Sequence, residues 1–418
     1  MSAPAQFCIG SFPIAWVREQ FPALRLSVGR RRAIFLDGPG GTQVPESVIR
    51  AVGDYYRTSN SNLGGQFLTS QKTFEIVHQA REALAEFFNA ADAAEIIFGQ
   101  NMTSLTFALS RVLAKNWELG AEVIVTSLDH DANVSPWRLA AEEKNVVVKI
   151  WQFRKETCSL HVEDLRSLIS DRTVLIAVTL ASNAVGSLVD VRSVVQLAKK
   201  VGAKVFVDAV HFAAHGKIDV QAFGCDFLAC SAYKFFGPHI GVLWARREWL
   251  ASTENFKVRP ASNQPPGKWE TGTQSFESIA GTLAALEYLR EVANRSMGTN
   301  SLRAAMDVIR QYELAISERF LSGIAQNPRI NLYGISVPAH AAGRTPTFAV
   351  RLEGLHPEAA AKKLGEQGIF VWSGHFYALD LIERLRLSDQ GGVIRIGFVH
   401  YNTEEEVDRT LDVLKNLR

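Results

Sequence analysis

Between residues 95 and 245 the chain is written in short apolar runs that alternate with longer amphipathic stretches. The runs fall at residues 95–98, 123–126, 146–150, 174–179, 204–207, 227–230 and 241–245 and are dominated by Val, Ile, Leu and Phe. Because they are apolar on consecutive positions, they predict strands buried on both faces, as in a parallel sheet covered by helices. The intervening stretches carry apolar residues at helical spacing. In residues 73–88, Phe74, Val77, Ala80, Leu84 and Phe87–Phe88 predict one buried face with charges opposite. Further helices are predicted at 45–56, 99–113, 191–201, 278–294 and 302–323. This alternation predicts an α/β domain with a mostly parallel sheet.

The pattern changes on either side. Strands at 330–332, 347–352 and 393–398, with helices at 357–368 and 403–417, predict a separate α+β unit. The first thirty residues predict a helix and a loop, followed by a strand, Ala-Ile-Phe-Leu-Asp, that runs into Gly38-Pro39-Gly40-Gly41. The expected division is a large domain over 36–295 and a small domain built from 1–35 and 296–418.

Composition narrows the class. A chain of 418 residues can bury two sizeable cores. With 47% apolar residues, 21% charged and a formal charge of +2, it has no excess charge to attract nucleic acid or an anionic membrane. No apolar run has the length of a membrane-spanning helix. The N-terminus lacks the basic start and apolar core of a signal peptide. Cys8, Cys158, Cys225 and Cys230 form no C-x-x-C, so neither a disulfide framework nor a zinc knuckle is expected, and a reducing cytoplasm is the expected compartment. His211 and His215 stand four apart, but no H-E-x-x-H or further ligand cluster accompanies them, so no metal is expected.

The chemistry lies in residues 203–241. The run ending at Asp208 and the run ending before Ser231, with Lys234 three positions on, place an acid and a lysine past the carboxyl ends of two strands. Open α/β sheets put their ligand sites there. The pair fits the needs of pyridoxal phosphate, which takes a lysine amine on its aldehyde and a carboxylate against its ring nitrogen. Gly99-Gln-Asn-Met-Thr103 opens a helix with free N–H groups, a natural seat for a phosphate. The Gly38–Gly41 cluster lacks the Lys-Ser/Thr of a P-loop and reads as a tight turn that lets backbone approach the site.

From Leu36 to the C-terminus these pieces, in this order, resemble fold-type I pyridoxal-phosphate enzymes. The specific resemblance is to the class V aminotransferase group that includes cysteine desulfurases and selenocysteine lyases. Cys-Ser-Ala-Tyr-Lys-Phe-Phe-Gly-Pro resembles the family's lysine block, Val-Asp-Ala-Val-His its V-D-[GA]-A-Q, and Ser-Leu-Asp-His-Asp-Ala-Asn its E-H-H-A-N. The resemblance implies a seven-stranded, mostly parallel sheet in the large domain and a smaller α+β C-terminal domain. It implies Lys234, Asp208 and His130 as catalytic residues, His130 stacking on the cofactor ring. It also implies phosphate contacts from Ser231, Met102, Thr103 and, across a homodimer interface, Thr273. Asn183 and His211 would flank the phenolic oxygen, and Arg395 would clamp the carboxylate of an amino-acid substrate through its planar fork.

Several residues depart from the family pattern, among them Trp372 where the family has Arg. Tyr233 stands where the family has His, and His211 where it has Gln. The mobile-loop segment R-x-G-H-H-C-A is here Trp372-Ser-Gly-His-Phe-Tyr-Ala378, so Tyr377 replaces the cysteine that takes up sulfur as a persulfide. Persulfide-forming desulfuration at position 377 is therefore not expected. A desulfurase-like lyase is the leading expectation by family weight alone, the missing cysteine favours the alternative of an aminotransferase or epimerase, and a catalytically silent scaffold or ligand sensor is a third possibility.

Overall fold

The computed structural model describes residues 12–418. The readings that fall on residues 1–11 (the lack of a signal peptide, Cys8, and the start of the small-domain segment) lie outside the described residues. Seven strands form the central sheet: β1 (Ile96–Gly99), β2 (Glu122–Thr126), β3 (Val147–Trp151), β4 (Thr173–Thr179), β5 (Lys204–Asp208), β6 (Phe227–Ser231) and β7 (Gly241–Ala245). Their order is β1-β7-β6-β5-β4-β2-β3. Only β7 runs against its neighbours; the other pairings are parallel. Every residue of β2, β6 and β7 is buried. The strand runs are apolar at consecutive positions because helices cover both faces.

A second, antiparallel sheet follows from β8 (Ile330–Tyr333), β9 (Thr347–Leu352), β10 (Trp372–Gly374) and β11 (Val393–Gly397), in the order β8-β9-β11-β10. The long helices Phe276–Met297 and Leu302–Ile324 pack on each other and join the two sheets in sequence.

The structure corrects two sequence expectations. The helix expected over 73–88 begins earlier, as Leu68–Phe88, and Phe74 is 60% exposed rather than part of the buried face. The buried stripe runs through Thr73, Val77, Ala80 and Leu84, and Phe74 lies one residue, about 100° of helix, past it. The strand expected near Ile34 is regular only at Ile34–Phe35, in parallel with Ile369–Phe370, and Asp37 adds an isolated parallel bridge to Gly397. It therefore ties the N-terminal segment to the C-terminal part of the chain and not to the central sheet.

Candidate active site

Parallel strands deliver their last residues to one edge of the sheet, and that edge is where the polar residues gather. Asp208 ends β5, Ser231 ends β6 and Thr179 ends β4. His130 follows β2, and Met102 begins the helix Met102–Ala114 after β1. A short turn, Ala232–Lys234, carries Lys234 back over the strand ends, where its Nζ donates to the carbonyl of Pro39. These groups line one cavity of about 580 Å³, which takes in Met102, Thr103, His130, Asn183, Asp208, His211, Ser231 and Lys234. Eight of the ten residues singled out from sequence thus meet around one space.

Burial sets the protonation of the groups. Removal from water lowers the Lys234 amine from 10.5 to about 7, with Arg395 repelling and Asp208 partly restoring its proton. A large share of Lys234 is therefore a neutral nucleophile near pH 7. Burial raises Asp208 to about 6, opposed by the N–H of Val210 at 2.8 Å and by Lys234. Burial, with Lys234 and Arg395 nearby, lowers His130 to about 4. Its Nδ1 accepts from the N–H of Ala132 at 3.0 Å, which leaves the proton on Nε2 of a neutral ring. His211 is likewise held neutral by burial and by His215 beside it.

The helix Met102–Ala114 points its N-terminus at the cavity. Asn101 caps it by accepting from Ser104 N at 2.9 Å, and the N–H of Met102 donates to Ser231 Oγ at 3.0 Å. The N–H of Thr103 has no acceptor among the described residues. This cradle depends on Gly241, because a Cβ there would lie 2.4 Å from the carbonyl carbon of Asn101.

Two predicted residues lie off the cavity wall. Thr273 lines a neighbouring cavity of about 870 Å³ that shares Gln100, Ser104 and His239 with the first. Arg395, on β11, is 5% exposed and does not line the cavity; its Nη1 donates to the carbonyl of Asn183 at 3.0 Å. The pair expected beside a phenolic oxygen lines the cavity with some donors engaged elsewhere. Asn183 Nδ2 donates to the carbonyl of Phe376 at 2.9 Å, leaving its second N–H free, and His211 Nε2 meets Thr345 and Thr347 hydroxyls at 3.0 Å.

Sequence reasoning missed several neighbours. Asp129 is buried between Thr126 and Asn133, and burial together with Asp208 raises its carboxyl to about 7. A carboxylate three residues past a buried strand was the available signal. His239 also went unmarked; it stacks at 4.9 Å on Tyr233, already noted as a departure from the family, and both line the cavity. The loop carrying Phe376 and Tyr377 closes on the site: Asp131 N donates to the carbonyl of Tyr377 at 2.7 Å, and the Tyr377 ring stacks on His130 at 5.2 Å. Only its resemblance to a mobile loop marked it in the sequence.

The same architecture occurs in an apo cysteine desulfurase from Thermococcus onnurineus, which superposes with a TM-score of 0.87 and 25% identity over 97% of this chain and 98% of that one. The fold is that of fold-type I pyridoxal-phosphate enzymes. A family model described as aminotransferase class-V matches residues 34–410. An aminotransferase-like protein of Gibberella zeae is 31% identical, covering 97% of this chain and 98% of its own length. A probable cysteine desulfurase of Synechocystis is 29% identical, over 96% and 94%. The chain belongs to the aminotransferase class-V family and is a pyridoxal-phosphate-dependent enzyme.

The donor set fits that cofactor. A helix N-terminus and a serine hydroxyl suit a phosphate dianion. A buried carboxylate suits a protonated ring nitrogen, a flat neutral imidazole suits a ring face, and an amine lowered to about 7 suits an aldehyde.

Proposed function

We propose that the chain acts on an α-amino acid as a cysteine desulfurase-like lyase or transferase. The observation that carries this reading is the convergence of Lys234 and Asp208 on one cavity, with the lysine's proton affinity lowered to about 7. Pyridoxal phosphate, when bound, supplies an aldehyde for the substrate amine and a ring that absorbs the electron pair left at Cα. Lys234 would hold the aldehyde and, as a neutral amine, would accept the Cα proton of the substrate. Asp208 would keep a ring nitrogen protonated, and His130 would offer its flat face to the ring. Ser231 and the N–H groups of Met102 and Thr103 would hold the phosphate, while Asn183 and His211 would serve the phenolic oxygen. Arg395 takes the substrate carboxylate.

Tyr377 bears on the fate of the substrate after proton removal. A phenol cannot carry sulfur as a persulfide. Among the described residues the three cysteines are buried, and burial pushes Cys158 to about 11 and Cys225 to about 12. Any sulfur released would leave without a covalent stop at position 377. That residue also favours a second reading, an aminotransferase or amino-acid epimerase of the same fold.

A panel of L- and D-amino acids offered to the holoenzyme separates these. Sulfide with alanine or pyruvate supports the lyase, a keto acid with consumption of the amine supports transfer, and the opposite enantiomer supports epimerisation. No product and no change in cofactor absorbance with any amino acid would overturn the proposal.

The reading extends to the assembly. We propose a homodimer in which Thr273 reaches the partner's phosphate. Thr273 is exposed and lines the cavity that adjoins the candidate site, where a second chain can reach it. We also propose the two-domain division at 36–295 and a cytoplasmic location; no helix among the described residues is long and apolar enough to cross a membrane.

A further inference from the structure

Arg395 carries a full charge in a place where charges are costly. It is 5% exposed and makes no ion pair at contact distance among the described residues, the Asp37 carboxyl attracting it from farther off. Nη1 is engaged by the carbonyl of Asn183, but Nε is buried without a partner. One face of the guanidinium is covered by the ring of Phe376, with Cζ 4.2 Å from the ring centroid. Phe376 is itself held. Its carbonyl accepts from Asn183 Nδ2, and both it and Tyr377 sit in the left-handed region, with φ of +53° and +58°. Non-glycine residues resist that region, so two in succession persist only where their surroundings fix them. Asn183 closes the circuit, accepting from Arg395 through its backbone and donating to Phe376 through its side chain.

We infer that Phe376 is a positioning residue for Arg395: its ring fixes the plane of the guanidinium that is to meet the substrate's carboxylate. The inference rests on the reading of Arg395 as the carboxylate's partner. A ring stacked on the face of a guanidinium leaves the edge free, and the edge is where a carboxylate makes two parallel hydrogen bonds. The family segment has His at the position of Phe376. A phenyl ring stays neutral at every pH and never repels the guanidinium it covers.

The test uses the holoenzyme and α-aminoisobutyrate, which has no Cα hydrogen to lose and so binds without turnover, together with its amide, which lacks the carboxylate. Dissociation constants are read from the cofactor's absorbance. Phe376→Leu weakens binding of the acid about fivefold to tenfold, leaves the amide within about twofold, and raises KM for turned-over substrates without a matching fall in kcat. Phe376→Tyr restores acid binding. Equal weakening of acid and amide, or no weakening of either, would overturn the inference. Arg395→Gln separates the two levels. If it weakens the acid selectively while Phe376→Leu does not, the positioning role alone is wrong. If it leaves acid binding unchanged, the reading of Arg395 falls with it.

Discussion

Lys234 is a cation placed where burial opposes charge, and that opposition makes it reactive. Burial outweighs the attraction of Asp208 and brings the amine to about 7. Below that value the lysine is protonated and cannot attack an aldehyde; above it the neutral form predominates. The stripped protein should therefore recover its cofactor at a rate that rises through about pH 7 and then levels. A rate still climbing above about pH 9 would mean an ordinary, solvated lysine. The residue scale is also where the sequence was most legible. Lys234, Asp208, His130 and Ser231 sit at motif positions and meet in one cavity. Arg395 was legible as a residue but not in its setting, because the ring that covers it comes from a separate loop, before β11 in the chain.

At the scale of elements, strand ends and one helix N-terminus build the site. Seven apolar runs read correctly as strands because both faces of the sheet are covered, which erases alternation and leaves a strong signal. What stayed hidden was set by pairing across distance. The Ile34–Phe35 strand looks like its neighbours in sequence but bonds to Ile369–Phe370, and nothing local records that. The approach of β7 to the phosphate cradle was equally silent. Gly241 allows it, and Gly241→Ala would force a Cβ against the Asn101 backbone. Strain of roughly 1–3 kcal/mol falls on the helix entry. Cofactor dissociation, followed by absorbance on dilution, should become about tenfold easier while secondary structure by circular dichroism is unchanged. Unaltered cofactor affinity would show that the helix entry does not hold the phosphate.

At the scale of the whole molecule, exposed Thr273 lines a cavity that meets the candidate site at Gln100, Ser104 and His239. Light scattering should give twice the chain mass, and Thr273→Ala should weaken phosphate binding without dissociating the pair. A monomer that binds cofactor fully would contradict the assembly. The sequence could suggest this only by resemblance, since an interface is a property of two surfaces and an exposed residue such as Phe74 reads locally as core.

The most direct measurement is borohydride reduction of the coloured holoenzyme followed by peptide mass spectrometry. The visible band should be lost and a pyridoxyl group fixed on Lys234 alone, with Lys234→Ala giving neither band nor adduct. A reduced cofactor found on another lysine, or recovered free, would contradict the assignment of Lys234.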